Sequence, residues 1–218
     1  MSWLTKALSG SIGRKIIMAA SGLFLITFLI EHLLGNLLLL DSTGKAFTEY
    51  TDFMENNVLV RATEIILFAG FIFHVIYAIV ITRKNKQARP VGYAMNKASE
   101  NSTWFSRNMG LTGSIVFIFL VIHLKTFFIP LRFEGMADSA LYGAAVAAFL
   151  NPIYTGFYVV AMLMLALHLN HGVQSAFQTV GLRHPKYTPL IKTLGTLFAV
   201  VVPALFAFIP VYLLFTHQ

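Results

Sequence analysis

The sequence predicts an all-α integral membrane bundle of five transmembrane helices, and three observations lead there. The chain of 218 residues is 57% hydrophobic and 11% charged, with a mean hydropathy of +0.72. A soluble domain carries about a quarter charged residues. Crossing about 30 Å of hydrocarbon takes about 20 apolar residues, and five runs are that long, at about 16–40, 63–82, 109–131, 152–178 and 193–215. The cations are also segregated along the chain. All of 1–218 reads as a single domain, with no internal repeat or low-complexity tract.

The first run follows Lys6, Arg14 and Lys15, as in a signal peptide. Its apolar stretch is too long for one and no small-residue cleavage site follows, so it is expected to be a retained helix. Next, Phe47, Tyr50 and Met54 recur at helical spacing, with Glu49, Asp52 and Glu55 turned elsewhere. That reads as a short interfacial helix, and Asp138 to Leu150 as a second, Ala-rich one. Asn151-Pro152 starts the fourth span, because proline is tolerated in a first helical turn. Pro203 and Pro210 are expected to bend the fifth. Trp3 and Trp104 fit interfacial anchors.

Lys and Arg set the orientation. Lys6, Arg14 and Lys15, then Arg83, Lys84, Lys86, Arg89, Lys97 and Arg107, then Arg183, Lys186 and Lys192 all fall on one side of a five-span chain. The other side holds Lys45, Arg61, Lys125 and Arg132. The positive-inside rule therefore puts the N-terminus in the cytoplasm and the C-terminus outside. The net charge of +7 reads as topology, not as a nucleic-acid surface. The sequon Asn101-Ser102-Thr103 falls on the cytoplasmic side and carries no meaning there. With no cysteine, the chain itself has no disulfide, iron–sulfur ligation or c-type haem attachment.

Four of the runs carry a histidine at membrane depth: His32, His74, His123 and His168, the last followed by His171 and Gly172. Ionisable groups there are costly and mark functional interiors. Counting helix rise sorts them into an outer pair, His32 with His123, and an inner pair, His74 with His168. Two imidazoles at one depth can take both axial positions of a haem iron, and two haems stacked along the normal divide the membrane into short hops. Other readings are interhelical hydrogen bonds, worth about 1 kcal/mol each, a proton relay, or zinc, for which each level lacks ligands. His171, one turn beyond His168, reads as a ligand, a propionate donor or a structural imidazole. Gly172 permits close approach of a ring or of another helix.

Arg14-Lys15, Ser21-Gly22 about ten residues ahead of His32, then His74, His123 and His168-Leu-Asn-His171-Gly172 carry a resemblance over the whole chain. The chain resembles the five-helix, dihaem cytochrome b membrane anchor of succinate:quinone oxidoreductases (succinate dehydrogenase and fumarate reductase). The resemblance implies two haem b groups, one held by His32 and His123, the other by His74 and His168. It favours His168 as the fourth-helix ligand and leaves His171 near a propionate or quinone. It further implies a flavoprotein subunit carrying FAD that interconverts succinate and fumarate, and an iron–sulfur subunit. The electron partner would be a quinone, typically menaquinone, in a bacterial cytoplasmic membrane.

Some fumarate-reducing members carry an acid two positions before that ligand, associated with proton transfer, where this chain has Ala166. Glu49, Asp52 and Glu55 would border a quinone site or form a solvated face. Lys125 would reach an outer propionate or snorkel, and Arg14, Lys15 and Ser21 would hold inner propionates, although Arg14 and Lys15 equally serve as orientation signals. Glu31 and Glu64 are expected in local polar pairs. The rivals are an anchor of a hydrogenase or formate dehydrogenase, and a haem-free transporter or proton channel.

Overall fold

The computed structural model describes residues 10–88 and 102–217, all helix, turn or coil. Within them five helices are long and apolar enough to cross a membrane. In chain order the helices are α1 (Ser11–Leu37, tightened over Leu38–Leu40), α2 (Lys45–Asn56), α3 (Val58–Gln87), α4 (Met109–Phe133), α5 (Leu141–Phe149), α6 (Pro152–Thr179) and α7 (Thr188–Thr216). A single turn, Trp104–Arg107, precedes α4. The expectations for Trp3, Lys6, Arg89, Lys97 and Asn101 lie outside the described residues.

The spans overrun their hydropathy limits because caps end helices and charges do not. α3 was expected at 63–82 yet begins where the Asn57 side chain accepts from the amides of Leu59 and Val60, at 2.9 and 3.3 Å. It ends past Lys84 and Lys86, whose charge suits the negative end of the helix dipole. Asn151 caps α6 in the same way, with Pro152 in the first turn. α7 runs through Pro203 and Pro210, both buried, as one helix.

α4 is not uniform. Directly after His123 it widens into a π turn, Leu124–Phe128, before α-helix resumes at Ile129–Phe133. Pro130 has no N–H for the Thr126 carbonyl, so the ladder is interrupted here and the wider turn absorbs the break.

α6 and α7 pack along their length around Ala161, Met162, Leu165, Leu169, Val173 and Ala199. A second core, at the end capped by α2 and α5, gathers Leu33, Leu39, Phe47, Phe149, Tyr158 and Leu213. α3 leans on α1, where Gly70 makes room for Phe24, whose ring would sit 2.6 Å from a Cβ at that position. α4 packs on α6, and α6 on α1. At the capped end α3 meets α4 through Phe68 and Phe128, with ring centres 4.9 Å apart. No residue of α3 is buried, and in Met109–His123 only Thr112 is. The four-helix enclosure of α1, α3, α4 and α6 is therefore hollow through its middle.

An ionic cluster ties the capped end together. The Arg132 guanidinium pairs with Glu55 of α2 and, at 2.9 Å, with Glu64 of α3, which also takes Arg61 at 2.8 Å. Glu55 thus departs from the expectation that it turns outward. It lies four and eight residues past Thr51 and Phe47, hence on the buried face. Glu49 and Asp52 keep to the outside, Glu49 beside Lys45 at 3.7 Å. Before α2, the Thr43 hydroxyl and amide hold the Asp41 carboxyl below the usual carboxylate range.

Arg132 and Glu55 are largely though not fully buried, and removing the cation leaves Glu55 uncompensated. Arg132→Ala is expected to cost up to about 3 kcal/mol of stability, read as a fall in the unfolding temperature of the purified protein. Lys45→Ala, at an exposed pair, is expected to change it little.

Candidate cofactor-binding interior

The hollow is a cavity of about 2520 Å³ that runs between the four helices. A single ligand site occupies about 300–1,000 Å³, so there is room here for more than one cofactor-sized group. Each of the four walls contributes one of the expected histidines: His32 from α1, His74 from α3, His123 from α4 and His168 from α6, and all four line the space.

The histidines fall into pairs by height. The rings of His32 and His123 face one another with centres 5.8 Å apart and planes at 89°. A metal held between two imidazole nitrogens at about 2 Å each sets the ring centres about 6 Å apart. His74 and His168 form the other pair as electrostatic neighbours, and His171, half-buried and lining the same cavity, is a neighbour of His168.

A ten-residue step links the two heights, about 15 Å at 1.5 Å per residue. Ten before His32 is Gly22, which faces His74, whose Cε1 lies 3.6 Å from where a Cβ would be. Ten before His123 is Gly113, which faces His168, with Cε1 at 3.3 Å and Nδ1 at 3.5 Å from the same construction. Ten before His168 is Tyr158, whose hydroxyl reaches His123 at 2.9 Å. Thus α1 and α4 each offer a histidine at one height and a bare glycine backbone at the other. Gly172 faces open space, with nothing within 4 Å of a Cβ there, so no helix uses it for close packing.

In three of the four rings it is Nδ1 that meets a protein polar group. Nδ1 of His123 bonds Tyr158, and Nδ1 of His74 bonds the Ser21 hydroxyl at 3.0 Å. Nδ1 of His32 lies 3.4 Å from the Asn36 amide nitrogen. Nδ1 of His168 is buried without a hydrogen-bond partner. Among the described residues, no Nε2 of these four makes a hydrogen bond. A ligating histidine characteristically has its other nitrogen held by the protein.

Polar groups mark the two ends. At the capped end Glu31, Tyr50, Glu55, Glu64 and Arg132 line the cavity. Tyr50 donates to Glu31 at 2.7 Å and crosses Gly35, where a Cβ would sit 2.5 Å from its ring. Burial, reinforced by the Glu31 carboxylate, holds the Tyr50 phenol well above its ordinary value. At the other end Lys15, Arg83, Arg183 and Lys192 reach the lining. Lys125 is exposed and does not line the cavity. Ser21, expected to hold an inner propionate, contacts His74.

Sequence reasoning missed Tyr158, Gly113, Arg132 and the π turn. The repeated ten-residue spacing from glycine to histidine was the one signal available for the first two, and it points to Gly113 alone.

Bare metal fits poorly, since among the described residues no three His, Asp or Glu side chains converge. A macrocycle that supplies its own equatorial ligands needs only two imidazoles per iron. The opposed pair, the orphaned Nδ1 of His168 and the glycine-lined cradle all suit one at each height. No protein-family model, curated protein or solved structure matches the chain.

Proposed function

We propose that this chain is the membrane-anchor cytochrome b subunit of a succinate:quinone oxidoreductase, with a b-type haem at each height. One observation carries the reading: four histidines, one per wall of a hollow enclosure, fall into two pairs, His32 facing His123 and His74 beside His168, a ten-residue helical step or about 15 Å apart. Bound there, haem would supply one-electron iron chemistry.

The chain's own part is to bind, orient and insulate. His32 and His123 would hold one group at the capped end and His74 and His168 the other, with Gly22 beside the His74 ring and Gly113 close against that of His168. Lys15, Arg83, Arg183 and Lys192 are cations at hand for carboxylate substituents. Two stations within about 30 Å of hydrocarbon leave short electron steps. One step leads towards an iron–sulfur and flavoprotein pair docked on the N-terminal, cytoplasmic side, the other to a quinone, menaquinone on the resemblance. Succinate and fumarate are handled by those partners. The acidic groups at the capped end stand where a quinone's protons would be exchanged. The setting is a bacterial cytoplasmic membrane.

The test of the whole reading is purification from native membranes. A covalent-flavin subunit, an iron–sulfur subunit and quinone-linked succinate or fumarate turnover are expected to accompany the chain. Nickel or molybdenum subunits would assign it to a hydrogenase or formate dehydrogenase instead.

Two further outcomes test the site. His32→Ala or His123→Ala is expected to remove one b-type spectral component, about half the haem absorbance, and His74→Ala or His168→Ala the other. Loss of the same component on changing His32 and His74 would contradict the pairing. Gly113→Val, which drives a side chain into His168, is expected to remove the His74–His168 component selectively. Gly22→Ala, with ordinary van der Waals space, is expected to retain both.

A further inference from the structure

The hydrogen bonds around the histidines are not alike, and the direction of two of them follows by elimination. Thr126 Oγ1 lies 3.0 Å from the Ile122 carbonyl, which can only accept, so the Thr126 proton is committed there. Tyr154, 2.9 Å from Thr126 Oγ1, must then donate to it. With that proton used, the 3.2 Å contact between Tyr154 and Tyr158 requires Tyr158 to donate. The Tyr158 oxygen can therefore only accept from His123 Nδ1, at 2.9 Å. The relay fixes the proton of the His123 ring on Nδ1 and leaves the lone pair on Nε2.

The same logic holds at the other height. Ser21 Oγ donates to the Met18 carbonyl at 3.0 Å, so the 3.0 Å contact with His74 Nδ1 must be donated by the ring. Their partners have no such acceptor. The Asn36 amide nitrogen gives one N–H to the His32 carbonyl at 2.7 Å and lies 3.4 Å from His32 Nδ1 with no lone pair to accept from it, and His168 Nδ1 has no partner. Each pair thus has one ring whose Nδ1–H is taken by a hydroxyl that ends on a backbone carbonyl.

We propose that Tyr158 and Ser21 are positioning residues, each fixing the tautomer and raising the basicity of one axial ligand, His123 and His74 respectively. This rests on the haem reading above and goes beyond it, because neither side chain need touch the cofactor. A hydrogen bond from the distal ring nitrogen makes imidazole a stronger donor. A stronger donor favours the ferric form, so removing the acceptor raises the midpoint potential of that haem alone.

The experiment is a redox titration of the purified holoprotein followed at the two b-type components. Tyr158→Phe is expected to keep both haems and shift the His32–His123 component upward, leaving the other unchanged. Ser21→Ala is expected to shift the His74–His168 component instead. Tyr154→Phe, which interrupts the relay one step further away, is expected to give a smaller shift of the same sign as Tyr158→Phe. Unchanged midpoints in haem-loaded Tyr158→Phe, or equal shifts of both components, would overturn the proposal. Should Tyr158→Phe lose its haem outright, Tyr154→Phe decides, with an upward shift supporting the role and none overturning it. A wild-type protein without b-type haem overturns the functional reading itself. Two haems whose potentials ignore these hydroxyls overturn only this inference.

Discussion

The bundle is organised around a space that its own side chains do not fill. Helices in lipid gain nothing from hydrophobic association and hold together by close packing, so a wall-to-wall gap between four of them forfeits the contacts that would join them. α3 shows the consequence most plainly. It is 30 residues long and among the most apolar stretches of the chain, yet it buries none of them. Among the apolar residues that line the gap stand five imidazoles, groups that are costly at membrane depth and mark functional interiors. An incomplete interior and unengaged Nε2 atoms are two sides of one constraint, and the flat iron-bearing group proposed for each height would satisfy both.

The remaining structure supports that interior. The α6–α7 seam is tightly packed, with Gly195 admitting Val173, and makes a stiff back wall on which His168 and Tyr158 are mounted. The capped end is closed by side chains of α2 and α5 and by the Arg132 cluster, which fastens the two least buried helices where they converge. The π turn falls immediately after His123, so α4 changes winding at the residue whose ring must meet both His32 and Tyr158. Widened turns of this kind gather at functional positions, where they re-aim a side chain.

Much of this was legible in the sequence because it depends on position along a helix. Apolar length located the spans, and depth alone brought His32 to the height of His123. What stayed hidden depends on the neighbouring helix. Tyr158 reads as one more core aromatic until α4 supplies His123 opposite it. Gly113 reads as a packing glycine until His168 lies against it. Glu55 was misread because the stripe drawn through Phe47, Tyr50 and Met54 missed the alternative face through Phe47 and Thr51, the one that meets Arg132. The π turn has only Pro130 to announce it, and a proline near a helix end is ordinarily read as a terminus.

The central claim is that the two histidine pairs are iron-porphyrin sites, and it is tested most directly by the cofactor content of the chain purified in detergent from its native membrane. The account predicts two non-covalent b-type haems per polypeptide, both low-spin with two nitrogen axial ligands. A colourless polypeptide, or one haem with an open axial position, would contradict it.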